Sequence, residues 1–140
     1  MDRRLQLVLV DDHEHARRAL AGRLAGHEQL AVAGQTADPL EAYALVRDHG
    51  PHVALIDPVR EDGRGDEIVA TLALLPGLQR PLIYVHLAFF DPDLWEQMRF
   101  AGADDVFLKQ TDLHALASRL FIGVVQLLPR ERWPGILGAS

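Results

Sequence analysis

At 140 residues, 49% of them hydrophobic and 24% charged, the chain is long enough to bury one core without covalent staples. It has no cysteine, which excludes disulfides, thiolate metal sites and cysteine nucleophiles. The formal charge of −6 argues against binding nucleic acid through a bulk positive field. With no basic-then-apolar leader and no uncharged run of spanning length, the expected location is the cytoplasm, away from the membrane.

The first predicted element is an apolar run of strand length, "LQLVLVDD" (5–12), which stops at two acids. In "ARRALAGRLAG" (16–26), Ala16, Leu20 and Leu24 recur at helical spacing and Gly26 supplies a stop. A short strand of small residues follows at 30–34. The segment 38–50 carries its own punctuation, with Asp38 as N-cap, Pro39 at the first helical position, Glu41 in a capping-box pattern and Gly50 at the end. "HVALID" (52–57) is the third strand. Residues 66–75 place Ile68, Leu72 and Leu75 on one helical face, and "LIYVHLA" (82–88) is the fourth strand. The Asp-Pro helix start recurs at 91–102, with Leu94, Met98 and Ala101 aligned and Gly102 closing it. "DVFL" (105–108) is the fifth strand, and a long helix over 111–128 starts at Thr111 and ends before Pro129. Five strand–helix units imply a doubly wound α/β fold, a parallel sheet covered by helices on both faces.

In such sheets ligands bind outside the carboxyl ends of the strands, where strand order reverses. Here the ends of the first, third and fifth strands deliver Asp11 and Asp12, Asp57, and Lys109. With strand order 2-1-3-4-5, three carboxylates crowd one crevice. Carboxylates that close repel one another unless a cation intervenes. A hard divalent ion with few protein oxygens around it suits Mg²⁺. Lys109, the single lysine among 14 basic residues, adds a compact point charge. Acids holding a metal beside an ammonium can receive and transfer a phosphoryl group, with Asp57 as nucleophile. Singly, each of these residues reads as a cap, a loop acid or a surface lysine; Asp11 or Asp12 could cap the following helix. Their coincidence at one sheet edge favours the site.

"LVLVDDHEHARRAL", "VALIDPVREDGRGDE" and "AGADDVFLKQTD" together resemble the three signature regions of two-component response-regulator receiver domains, over residues 5–128. The "DDH" opening and a lysine not followed by proline resemble the subgroup that often carries a helix-turn-helix output domain. The resemblance implies a flavodoxin-like five-stranded fold of order 2-1-3-4-5. It also implies that Asp57 takes phosphoryl from a histidine kinase or a phosphotransfer protein. Mg²⁺ would be bound by Asp12, Asp57 and the backbone carbonyl of Val59, with Asp11 acting through water and Lys109 pairing with a phosphoryl oxygen. Catalysis would be limited to self-phosphorylation and autodephosphorylation.

Departures from the pattern fall on the switch. The strand-four hydroxyl position is Leu87 or, counted from Pro81, His86, and the aromatic position is Val106. Glu61 stands where a proline is usual, while Gly65, eight residues beyond Asp57, fits. His13 and His15 invite a transition-metal reading, but two residues apart they are poorly matched on a strand or a helix, and solvated side chains are expected. Three readings compete: a phospho-accepting receiver signalling through an unknown output protein, a phosphorylation-independent pseudo-receiver serving as an interaction module, and a metal-dependent phosphatase. The last lacks a substrate cap, a second acid for the leaving group and a Gly-rich phosphate loop. The apolar helix 111–128 predicts contact with a second copy unless the tail covers it. The domain is expected over 1–128. The tail, 129–140, resembles the entry to an output domain but is too short to hold one, so no direct DNA binding is expected. The sequence is either a stand-alone receiver or a segment cut near a boundary.

Overall fold

In the computed structural model, which describes residues 2–138, five parallel strands form one sheet in the order β2-β1-β3-β4-β5. The strands are β1 (Leu5–Val10), β2 (Leu30–Thr36), β3 (Val53–Ile56), β4 (Leu82–Leu87) and β5 (Asp105–Leu108). Between and after them run α1 (Glu14–Ala25), α2 (Pro39–His49), α3 (Gly65–Ala73), α4 (Pro92–Ala101) and α5 (Leu113–Leu127). This is the expected flavodoxin-like topology.

Period-two alternation along each strand sorts the core into two layers. Leu5, Leu7 and Leu9 of β1 point to the layer that holds Leu24 of α1 and Leu116, Leu120 and Val124 of α5. Val8 and Val10 point the other way, to Val46 of α2, Ile68 and Leu72 of α3 and Met98 of α4. Strands buried on both faces are apolar nearly throughout, which is why β3 reads as an unbroken hydrophobic run and β4 is interrupted only by His86. Each fully buried leucine or isoleucine in these layers contributes roughly 1.5–3 kcal/mol relative to exposure.

Local signals act as read at two helix starts. Asp38 accepts the Glu41 amide and Asp91 accepts those of Asp93 and Leu94, each followed by proline at the first helical position. Gly50 closes α2 in the left-handed conformation, φ 57°. Three expectations are corrected. The α5 cap is Asp112, whose carboxylate accepts the Ala115 amide, and not Thr111. The buried face of α1 is Arg17, Ala21 and Leu24, whereas Ala16 is exposed. Arg17 goes inside because its guanidinium donates to the Asp11 carbonyl at 2.8 Å and the Gln35 side chain at 3.1 Å. Neither Asp11 nor Asp12 caps α1; the N-cap residue is His13, with no side-chain cap bond.

The segment after α5 folds back along the amino end of the sheet. Arg132 donates to the carbonyls of Arg80 and Pro51, the Ile136 amide bonds Arg3, and Trp133 packs on the α1–α5 core layer. It leaves part of the apolar α5 surface uncovered, since Ile122, Val125 and Leu127 remain exposed. No helix among the described residues is long and apolar enough to cross a membrane.

Candidate functional site

Strand order makes β1 and β3 neighbours, and the Asp57 amide continues their ladder by donating to the Val10 carbonyl at 2.9 Å. The Asp11 amide bonds Thr36 of β2, and the Lys109 amide bonds Leu87 of β4. Ladder hydrogen bonds therefore set the backbone of Asp11, Asp57 and Lys109 at one edge of the sheet.

The side chains converge there. Lys109 Nζ donates to Asp57 Oδ2 at 2.5 Å and lies 3.6 Å from Asp11 Oδ2. Asp57 is 5% exposed, and its other oxygen accepts the Val59 amide at 2.9 Å. Asp12 Oδ2 accepts the Glu61 amide at 3.2 Å, which ties the loop after β3 to the end of β1. Burial works against the Lys109 charge, but the hydrogen bond and field of Asp57, with Asp11 behind it, outweigh burial and raise its pKa above the usual lysine value. The ammonium is therefore a fixed cation.

His13 and His15 are both solvent-exposed, as expected, but the His13 ring also reaches the acids, its Nδ1 lying 2.8 Å from Asp11 Oδ1 and 3.3 Å from Asp12 Oδ1. The reason is backbone geometry. At the N-cap, φ −87° and ψ 86° are neither extended nor helical, and they turn the ring back over the acids. The bond to Asp11 raises the imidazole pKa against desolvation. Arg17, which the sequence does not single out, donates to the Asp11 carbonyl; nothing in the run Arg17-Arg18 indicates which arginine is buried. Arg60 braces the loop after Asp57 through the Ala37 carbonyl at 2.7 Å and the Asp62 carboxylate. A Cβ at Gly65 would run into the backbone of Pro58, so the first turn of α3 lies against the residue after Asp57 only because position 65 is glycine.

Alternation separates the two candidates at the end of β4. Leu87 lines a cavity of about 520 Å³ together with Asp57, Lys109, His13, Val59 and Ala88. His86 shares the face of Tyr84, toward α1 and α5, and points away from that cavity. Val106 is half-buried against the α2–α4 layer. The cavity thus has an acidic floor with one cation and an apolar wall. Asp11, Asp12 and His13 bring ligand atoms within 4.8 Å of one another, and Asp57 Oδ2 lies 3.7 Å from His13 Nδ1; the carboxylate oxygens gathered there are of the type that fits a small hard divalent ion.

Comparison with known proteins agrees. The response regulator receiver domain family matches residues 7–121. The transcriptional regulatory protein LiaR of Bacillus subtilis is 32% identical over 116 residues, covering 83% of this chain and 54% of that protein. The response regulator protein VraR of Staphylococcus aureus is 27% identical over 113 residues, covering 81% and 53%. The chain therefore spans about half the length of these curated relatives. Among solved structures, the receiver domain of the putative response regulator NarL from Mycobacterium tuberculosis superposes with a TM-score of 0.69 at 23% identity, covering 88% of this chain and 94% of that one. A LuxR-family two-component response regulator from Aurantimonas gives a TM-score of 0.72 at 23% identity, over 87% and 84%. With its fold, its strand-end acids and its matched span all in accord, the chain belongs to the response regulator receiver domain family.

Proposed function

We propose that this receiver accepts a phosphoryl group on Asp57 from the phosphohistidine of a histidine kinase or phosphotransfer protein, and signals through a protein partner. The observation that carries the reading is the Lys109–Asp57 ion pair beside Asp11 and Asp12 at the switch point of the sheet. In the transfer, a carboxylate oxygen of Asp57 forms the new P–O bond as the P–N bond breaks, and the donor imidazole keeps the electron pair. Lys109 meets the incoming phosphoryl oxygens, while the Val59 amide orients the carboxylate. Asp12, Asp57 and the Val59 carbonyl, with Asp11 through water, would hold Mg²⁺, which supplies charge neutralisation at the phosphoryl oxygens.

Treatment with a small phosphodonor and Mg²⁺, followed by intact-mass analysis, should show a single phosphoryl adduct that Asp57→Asn abolishes. An unmodified parent would transfer support to a pseudo-receiver, and turnover of added phosphoesters would indicate a phosphatase.

Output should be weakly coupled to that adduct. A phosphoryl group shifts a conformational equilibrium only by the difference in its interaction with the two states. Leu87 carries no hydroxyl to reach it, and Val106 is too small to fill vacated space as an aromatic would. One missing charge-assisted hydrogen bond removes roughly 1.5–3 kcal/mol of bias, at least about tenfold in population. With beryllofluoride and Mg²⁺, amide shifts should stay near residues 11–13, 57–59 and 109. Shifts spreading through α4, β5 and α5 would show strong coupling by another route.

A further inference from the structure

The helical layer formed by α3 and α4 carries a groove of about 710 Å³ with a charge gradient along it. Both helices return antiparallel to the strands, so their first turns lie at the carboxyl edge of the sheet. Asp66 and Glu67 stand in the first turn of α3, Asp93 in the first turn of α4, and Glu96 follows on the same wall. Gln97 reaches across to Asp66 at 3.4 Å. At the opposite end the walls are Leu74 and Phe100, over a floor of Ala70, Ala73 and Ala101. A Cβ at Gly102 would meet Ala73, so the helices approach most closely at that apolar end.

First-turn acids by themselves are explained by the helix dipole. The dipole does not explain why Leu74 is 83% and Phe100 95% exposed on the rim of the same groove. Nor does it neutralise the acids. Glu67 pairs with Arg64, but among the described residues Asp66, Asp93 and Glu96 pair with no cation, and no basic side chain lines the groove. Exposed apolar side chains next to unpaired acids match a partner that is both apolar and cationic.

We infer that the α3–α4 groove docks an amphipathic helix of another protein, apolar at one end and rich in lysine or arginine at the other. A helix is required because the groove lies on a helical layer and offers no strand edge to an extended peptide, so the guest must satisfy its own backbone. Cations are best placed at a helix C-terminus. The guest therefore lies antiparallel to α3 and α4, with its basic C-terminal end beside Asp66 and Asp93 and its apolar end between Leu74 and Phe100. The contact involves none of the Asp57 machinery and does not require phosphorylation.

The probe is a leucine–lysine peptide of roughly 14 residues, patterned as a helix with its lysines gathered in the C-terminal half. Added to the full chain, it should shift amides of residues 66–74 and 93–101. Phe100→Ser should weaken its affinity about tenfold and Glu96→Lys about fivefold, while Asp48→Lys, an exposed charge reversal on α2, should change it less than about twofold. Shifts located elsewhere, equal affinity for Phe100→Ser, or equal losses from Asp48→Lys and Glu96→Lys would overturn the proposal. So would a parent dimer in sedimentation that Phe100→Ser dissociates, because the groove would then belong to a second copy.

Discussion

Gly123→Ala should lower the unfolding temperature by roughly 6–8 °C, although alanine is the better helix former by about 1 kcal/mol. Gly123 lies inside α5, where a glycine normally weakens the helix. Its Cβ would collide with the hydroxyl oxygen of Tyr84 and lie 3.3 Å from the ring carbon that carries it. Tyr84 is 2% exposed and stacked on Phe107 with ring centroids 5.1 Å apart, so it has nowhere to retreat. Burial, with Asp105 nearby, pushes its hydroxyl pKa up to about 12, so the group stays neutral and fills space under α5. Forcing a methyl into that space costs about 3 kcal/mol, the upper end of typical overpacking, which leaves a net loss of roughly 2 kcal/mol after the gain in helix propensity. Tyr84→Phe removes the colliding oxygen, so the double variant should recover most of the loss. Thermal unfolding of the parent, both single variants and the double variant measures the coupling directly. An alanine variant as stable as the parent would show that α5 does not rest on the Tyr84 hydroxyl.

The second large effect is acid sensitivity above the carboxylate range. Burial holds the imidazole pKa of His86 down to about 4, with the Lys109 charge adding to the depression and Asp11 opposing it. His52 is also pushed down to about 4, again chiefly by burial, and its Nδ1 accepts the Gln6 amide at 2.8 Å, a bond that protonation would destroy. A histidine kept neutral by the fold binds fewer protons than its unfolded counterpart between pH 4 and 6.5, so stability rises with pH across that window. The contribution is complete above about pH 6.5 and is lost as pH falls toward 4. For His86 it amounts to roughly 3 kcal/mol, while the more accessible His52 adds less because solvent screens it. Urea unfolding at pH 7.5, 6 and 5 should show a falling midpoint, and His86→Leu should flatten the decline. An unchanged midpoint from pH 7.5 to 5 would rule out buried neutral histidines as the cause.

Much of the fold is written locally. Asp38-Pro39 and Asp91-Pro92 start helices because a carboxylate cap and a fixed proline φ act within one turn. The apolar strands are recognisable because both of their faces must be covered. The acids at 11, 12 and 57 and Lys109 are legible as a site once the strand order is supposed, since each ends a strand and the sheet is parallel. What the local signals do not contain is which side chains meet across the sheet. Nothing near Arg17 indicates that its guanidinium will be buried under Asp11, or that the N-cap backbone will turn His13 into the acid cluster. The choice between His86 and Leu87 depended on the face of β4 that each occupies, and a one-residue change of register exchanges those faces.

Composition, periodicity and capping residues thus determined the number, type and order of the elements, and with them the edge of the sheet where the acids collect. Only the tertiary structure decided that Leu87 and not His86 faces Asp57, that glycine at 123 makes room for Tyr84, that the segment after α5 returns along the sheet, and that α3 and α4 leave an acidic, apolar-ended groove between them. The physical reason is range. Helical and strand preferences act over one to four residues, whereas these four outcomes depend on the packing distance between elements far apart in the chain. Side-chain volume and long-range hydrogen bonds set that distance only when the whole domain closes.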